Sequence, residues 1–179
     1  MPNREPDPKV EKFLQNLSAL DAGGKARLKR DAGKPLAEAK SLGLFYRLLP
    51  YGLSAAQEEI FFLLATLYPL ADGGGKGNFG ASLHSARDPD PKKNKGLNRR
   101  VEVLLDSDAA QLPFRLRQAV RLLKSKPVAV NWQQLLEDLL RWKSVNRTVQ
   151  KQWARAYFGI SQPIAEESAP TASETEPIL

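Results

Sequence analysis

The chain has no cysteine and a single histidine, His84. The first absence removes disulfides, thiolate metal sites and cysteine nucleophiles together. The second leaves a zinc site dependent on carboxylates, an unfavourable ligand set. Long apolar runs are missing too: the longest, Ile60 to Leu67, covers eight residues, against about 20 for a membrane-spanning helix. The opening Met1 to Pro8 has no apolar core of a secretory signal, so the cytoplasm is the expected compartment and no membrane partner is expected. Period-two alternation is equally scarce. Pro127 to Val130 is the one candidate strand, and the expected fold is therefore all-α.

Positive charge is plentiful, and it is unevenly placed. The net charge is +7, but residues 160–179 hold Glu166, Glu167, Glu174 and Glu176 with no Lys or Arg, so residues 1–159 carry 27 cations against 16 carboxylates. An excess of that size favours a polyanion such as nucleic acid over a merely soluble basic surface. Residues that are 42% hydrophobic and 26% charged belong to a globular chain. The length suits one helical domain over 1–159, either a single bundle or two small helical subdomains sharing a core. The Ser, Pro, Thr and Glu of 160–179 read as a disordered acidic tail.

Helical punctuation is clear along most of the chain. Asp7 and Pro8 start a first helix carrying Val10, Phe13, Leu14 and Leu17, and Asp21 caps a short second one that ends before Gly33. Pro35 reopens the helical pattern, which runs from Leu36 through Leu49 to Pro50. Ser54 and Gln57 form a capping box for a helix over Ala55 to Tyr68, apolar nearly all round and so expected at the centre. Asp72 to Gly96, with six glycines, reads as a flexible basic loop. Beyond it come a helix with Leu97, Val101, Leu104 and Leu105 buried, one capped by Asp108 from Ala109, one over Trp132 to Lys143 capped by Asn131, and a last one ending at Gly159. Trp132, Trp142 and Trp153 recur with leucines at helical spacing, which makes them packing residues before base-stacking ones.

Beside these apolar stripes stand the candidate nucleic-acid-binding cations. Arg27, Lys29, Arg30 and Lys34 crowd a segment anchored by little more than Leu28. Arg99 and Arg100 fall in the first turns of their helix, where cations oppose the helix dipole unless an anion is near. Arg117, Arg121 and Lys124 share one flank of a helix, and Arg147, Lys151 and Arg155, four residues apart, share another. Like charges at that spacing repel, which points to an outside partner that relieves them.

Three catalytic readings fail. Gly73 to Gly77 lacks the earlier glycine and the Ser/Thr after Lys76 that a phosphate-binding P-loop needs. Asp88, Asp90 and Lys92 imitate a nuclease cluster, but prolines separate them and no rigid frame holds them. His84 has no serine and acid arranged around it and reads as a structural or polar contact. No cofactor, no metal and no enzyme activity are expected.

Several stretches, in this order, resemble the CasB family, the small subunit of the type I-E CRISPR complex Cascade. They are Leu28-Lys-Arg30 followed by Gly33, Phe45-Tyr-Arg-Leu-Leu-Pro50, Leu64-Ala-Thr-Leu67, Phe79-Gly-Ala-Ser-Leu83 and Arg99-Arg-Val-Glu-Val-Leu-Leu105. They continue through Leu116-Arg-Gln118, Asn131-Trp132, Leu135-Leu-Glu-Asp-Leu139, Trp142 and Trp153-Ala-Arg-Ala-Tyr-Phe158. Each is weak by itself; their order over residues 13–158 is specific. The tail and the Pro/Lys-rich middle of the loop lie outside the pattern. The resemblance implies a non-enzymatic helical subunit, present as two copies beside guide RNA and the other Cascade proteins, in contact with target and displaced DNA strands. A helix-turn-helix DNA-binding regulator is the alternative, although Trp142 to Thr148 offers no clear turn signature for it.

Overall fold

The computed structural model describes residues 6–159, so the acidic tail expected over 160–179 lies outside the described residues. The helices are α1 (Pro8–Ser18), α2 (Ala22–Lys29), α3 (Leu42–Leu48), α4 (Ala55–Leu67), α5 (Phe79–Ser85), α6 (Lys95–Leu105), α7 (Leu112–Ser125), α8 (Trp132–Leu140) and α9 (Thr148–Phe158). The fold is all-α. The candidate strand contributes one isolated parallel bridge, Gly73 with Val130, in which Val130 N–H donates to Asp72 O at 2.8 Å.

The predicted caps form. Asp7 accepts from the Lys9 N–H, Asp21 from Gly24, Asn131 from Gln134, and Ser54 and Gln57 close the capping box. Each satisfies backbone donors that a helix start leaves without partners. From α4, Phe61 to Leu67 are all buried, so this helix is the central one. Phe13 of α1 meets the Phe61 ring at 4.8 Å, and Phe45 of α3 meets Phe62 at 5.2 Å, both edge to face. A second aromatic cluster joins Phe79 to Trp153 and Trp153 to Trp142, each pair 5.1 Å apart. The two clusters belong to one continuous core reaching from Val10 to Tyr157 among the described residues.

Three local expectations need correction. The stretch 36–49 is not one helix: a 3-10 turn at Leu36–Glu38 precedes α3. Buried Asp31 causes the break, because its carboxylate accepts from the N–H groups of Lys40 and Ser41 and from Ser41 Oγ, which fixes the chain outside a helical path. Asp108 caps a turn through the N–H groups of Ala110 and Gln111, and the helix itself begins at Leu112.

The third correction concerns 72–96, which is not one long loop. It contains α5, capped by Asn78, with Phe79 and Leu83 buried, and a 3-10 turn at Pro91–Asn94. Gly80 lets α5 cross α9 at close range: a Cβ there would lie 2.2 Å from the carbonyl oxygen of Trp153. A residue that reads as a helix breaker is thus a packing requirement inside a helix.

Candidate nucleic-acid interface

Each basic face is the outer side of a helix whose inner side is pinned in the core. On α7, Leu112, Leu116, Val120 and Leu123 are buried, which leaves Arg117, Arg121 and Lys124 on an adjoining flank, Arg121 and Lys124 exposed and Arg117 half-buried. On α9, Val149, Trp153 and Tyr157 are buried, and Lys151 and Arg155 are exposed. The buried side of α9 is held by polar contacts as well. Trp153 Nε1 donates to Asp138 Oδ2 at 2.6 Å, Tyr157 Oη donates to Asn98 Oδ1 at 2.7 Å, and His84 Nδ1 donates to Tyr157 O at 2.7 Å. His84 is therefore a structural contact. Burial pushes the Tyr157 phenol up from its ordinary value, while the Arg87 guanidinium, 5.5 Å over the ring, opposes the shift.

Three of the twelve candidate cations are already engaged. Lys34 pairs with Asp31 at 3.2 Å, and Lys124 with Asp72 at 3.0 Å. Arg147 donates to Asp106 Oδ1 and to Leu105 O, both at 2.8 Å. It precedes α9 with a left-handed backbone (φ 50°), so it does not continue the face of Lys151 and Arg155. The Lys124 and Arg147 pairs have both side chains more than half exposed, and exposed pairs of that kind contribute about 0–1 kcal/mol. A phosphate could replace either carboxylate at little cost.

The other nine, Arg27, Lys29, Arg30, Arg99, Arg100, Arg117, Arg121, Lys151 and Arg155, have no ion pair among the described residues. Two groupings emerge. Arg117 lies across Gly33, where a Cβ would come within 3.0 Å of its Cδ, so α7 and the segment after α2 meet and Lys34 stands at the same junction. Arg99 and Arg100 line a cavity with Arg115, which sequence reasoning missed. Its signal was available: two residues before Arg117, Arg115 projects from the opposite flank of α7, toward α6. Lys151 and Arg155 remain a separate pair on α9.

Charged groups inside the body are structural. Burial raises the Asp138 carboxyl above its ordinary value, against the opposing pull of the Trp153 indole, Gln134 and Arg141. Asp31 ends below its ordinary value: burial acts upward, but the hydroxyl and N–H of Ser41, with Lys34 and the Lys40 N–H, outweigh it. Among the described residues no group of three or more His, Cys, Asp or Glu side chains could hold a metal ion, and no helix is long and apolar enough to cross a membrane.

Fold and charge together define a small helical protein whose core-packed helices present unpaired cations outward. Residues 24–158 match the family described as CRISPR-associated protein Cse2. The chain belongs to that family, the CasB family whose motifs its sequence resembles. It is 34% identical over 157 residues to the CRISPR-associated protein Cse2 of Thermus thermophilus, covering 83% of this chain and 89% of that protein. The crystal structure of CasB from Thermus thermophilus superposes with a TM-score of 0.72 at 30% identity, covering 84% of this chain and 97% of that one. A chain of a CRISPR RNA-guided surveillance complex shares the fold at TM-score 0.69 and 22% identity, over 84% of this chain and 92% of that one.

Proposed function

We propose that this chain is the non-catalytic small subunit of a type I-E CRISPR RNA-guided surveillance complex. In that role it holds nucleic-acid backbone on its basic helical faces and stabilises bound target DNA and the R-loop. The observation that carries the reading is the set of nine cations without ion pairs among the described residues, on or at the end of helices whose opposite faces are locked into the core. Rigid supports let such cations meet phosphates with little ordering cost. Exchange of a DNA duplex for an RNA–DNA heteroduplex is close to balanced, so modest backbone contacts to the opened strands decide whether the R-loop persists. Contacts of this type need cations rather than a base-reading helix. Guide RNA, target and displaced DNA strands and the other Cascade subunits are the proposed partners, with two copies of this chain per complex.

The helix-turn-helix alternative fits less well. A recognition helix offers its first turn to the major groove, whereas Arg147 ties the start of α9 back to Leu105 and Asp106 at the end of α6. The test is a titration of the assembled complex with target DNA at several salt concentrations, with and without this subunit. Backbone contacts predict a loss of log-log salt slope of about 0.9 per duplex phosphate, or about 0.7 per single-strand phosphate, when the subunit is left out. An unchanged slope and R-loop yield would contradict the proposal.

A further inference from the structure

Between α6 and α7, over Leu83 of α5, lies a cavity of about 250 Å³. Its floor is apolar, built from Leu83, Leu104 and Ala119, and no carboxylate lines it. Arg99, Arg100 and Arg115 stand at it together with the amide of Gln118. None of the three arginines has an ion pair among the described residues. The Arg115 guanidinium carbon instead rests 5.6 Å from the centre of the Phe114 ring, which holds that side chain in place without neutralising it. The cavity also reaches Gly96 and Leu97 in the first turn of α6, the helix end whose dipole favours an anion.

From these features we infer that the α6–α7 cavity takes one unstacked base of a single strand, with the flanking phosphates on the three arginines. An apolar slot ringed by cations and lacking carboxylates fits a flat, weakly polar ring carried on an anionic chain. Gln118 supplies both a donor and an acceptor for the edge of that ring. The volume lies below the roughly 300–1,000 Å³ of pockets for whole drug-sized ligands, so it suits a single ring system whose sugar and phosphates stay outside. The inference rests on the nucleic-acid reading above and adds to it a contact with a base. That contact favours strands whose bases are free, such as those of an opened duplex, over a closed duplex.

Two single-stranded oligonucleotides with the same number of phosphates, one carrying bases and one abasic throughout, test it on the full chain. The base-bearing strand should bind about tenfold tighter, or about 1.4 kcal/mol, with the same salt slope. Filling the cavity from either helix, with Ala119→Leu or Val103→Leu, should abolish that advantage and leave binding of the abasic strand unchanged. Should either variant fail to fold by its melting curve, the other decides. Equal binding of both strands by the unaltered chain, with steep salt dependence, keeps the backbone reading and overturns the cavity assignment. Retention of the base advantage by a folded, filled variant overturns it too, as does loss of partner-subunit association in place of base binding. Failure to bind either strand overturns both readings.

Discussion

The indole N–H of Trp153 donates to Asp138 Oδ2 at 2.6 Å, and both side chains are buried. This bond joins α8 to α9 beneath the face that carries Lys151 and Arg155. Trp153→Ala should therefore destabilise the fold by about 3–5 kcal/mol, the range for truncating a buried aromatic. Trp153→Phe keeps most of the packing but leaves a buried carboxylate one donor short, at a cost of about 1–3 kcal/mol. Chemical denaturation of both variants checks the order; a Trp153→Phe variant as stable as the unaltered chain would mean that the hydrogen bond contributes nothing.

Asp138 also gives a signed pH effect. Its carboxyl is raised by burial above the ordinary 3.8, so ionisation costs more in the folded chain than in the unfolded one. The group withdraws stability as pH rises from the ordinary value through the raised one. Asp138→Asn removes that titration and retains an acceptor for Trp153. Its stability relative to the unaltered chain should improve as pH rises from the ordinary 3.8 through the raised value, as followed by denaturant midpoints. A constant difference across that range would show that Asp138 is not shifted upward.

Asp31 has the opposite sign. Its carboxyl is held below the ordinary 3.8, so its stabilising contribution is complete above that value and is lost as pH falls through the depressed one. Asp31→Ala strips the acceptor from Lys40, Ser41 and Lys34 and should cost about 2–4 kcal/mol at neutral pH. The variant should lose less further stability on acidification than the unaltered chain does. An acid limb identical in both would remove Asp31 from the explanation.

Gly80 makes the sharpest packing claim. A methyl group there meets the Trp153 backbone, and backbone does not yield as a flexible side chain does. Gly80→Ala should cost at least about 1–3 kcal/mol, the range for overpacking, despite the better helix propensity of alanine. A melting temperature equal to or above that of the unaltered chain would refute the close crossing.

Most of this architecture was legible because local chemistry and packing agree. The caps at Asp7, Asp21, Ser54 and Asn131 and the apolar run of α4 predict their own positions. The sequence also marks the sides of α7 and α9 that are buried. Two of the misses share a cause, namely contacts beyond the local helical window; the third, at Asp108, is local, its carboxylate holding a turn through Ala110 and Gln111 ahead of the helix. Asp31 breaks the 36–49 helix through Lys40 and Ser41, which periodicity cannot show. In α5 the helix is short and glycine-bearing, and its anchor is Trp153, 73 residues beyond Gly80. The same holds for the site. Residue type singled out the cations, but only the fold reveals that Lys34, Lys124 and Arg147 have internal partners, or that Arg115 joins Arg99 and Arg100.

Nucleic-acid backbone held on core-supported basic faces is best measured by the salt dependence of target-DNA binding in the assembled complex, comparing the unaltered subunit with an Arg121→Ala, Lys151→Ala, Arg155→Ala triple variant. All three side chains are exposed and lack ion pairs among the described residues. Each substitution should therefore change stability by no more than about 0.5 kcal/mol. With folding intact by its melting curve, the variant should bind more weakly, form less R-loop and show a log-log salt slope lower by about 2, as for two or three lost phosphate contacts. Unaltered affinity, slope and R-loop yield in the folded variant would contradict the assignment of these faces to nucleic acid.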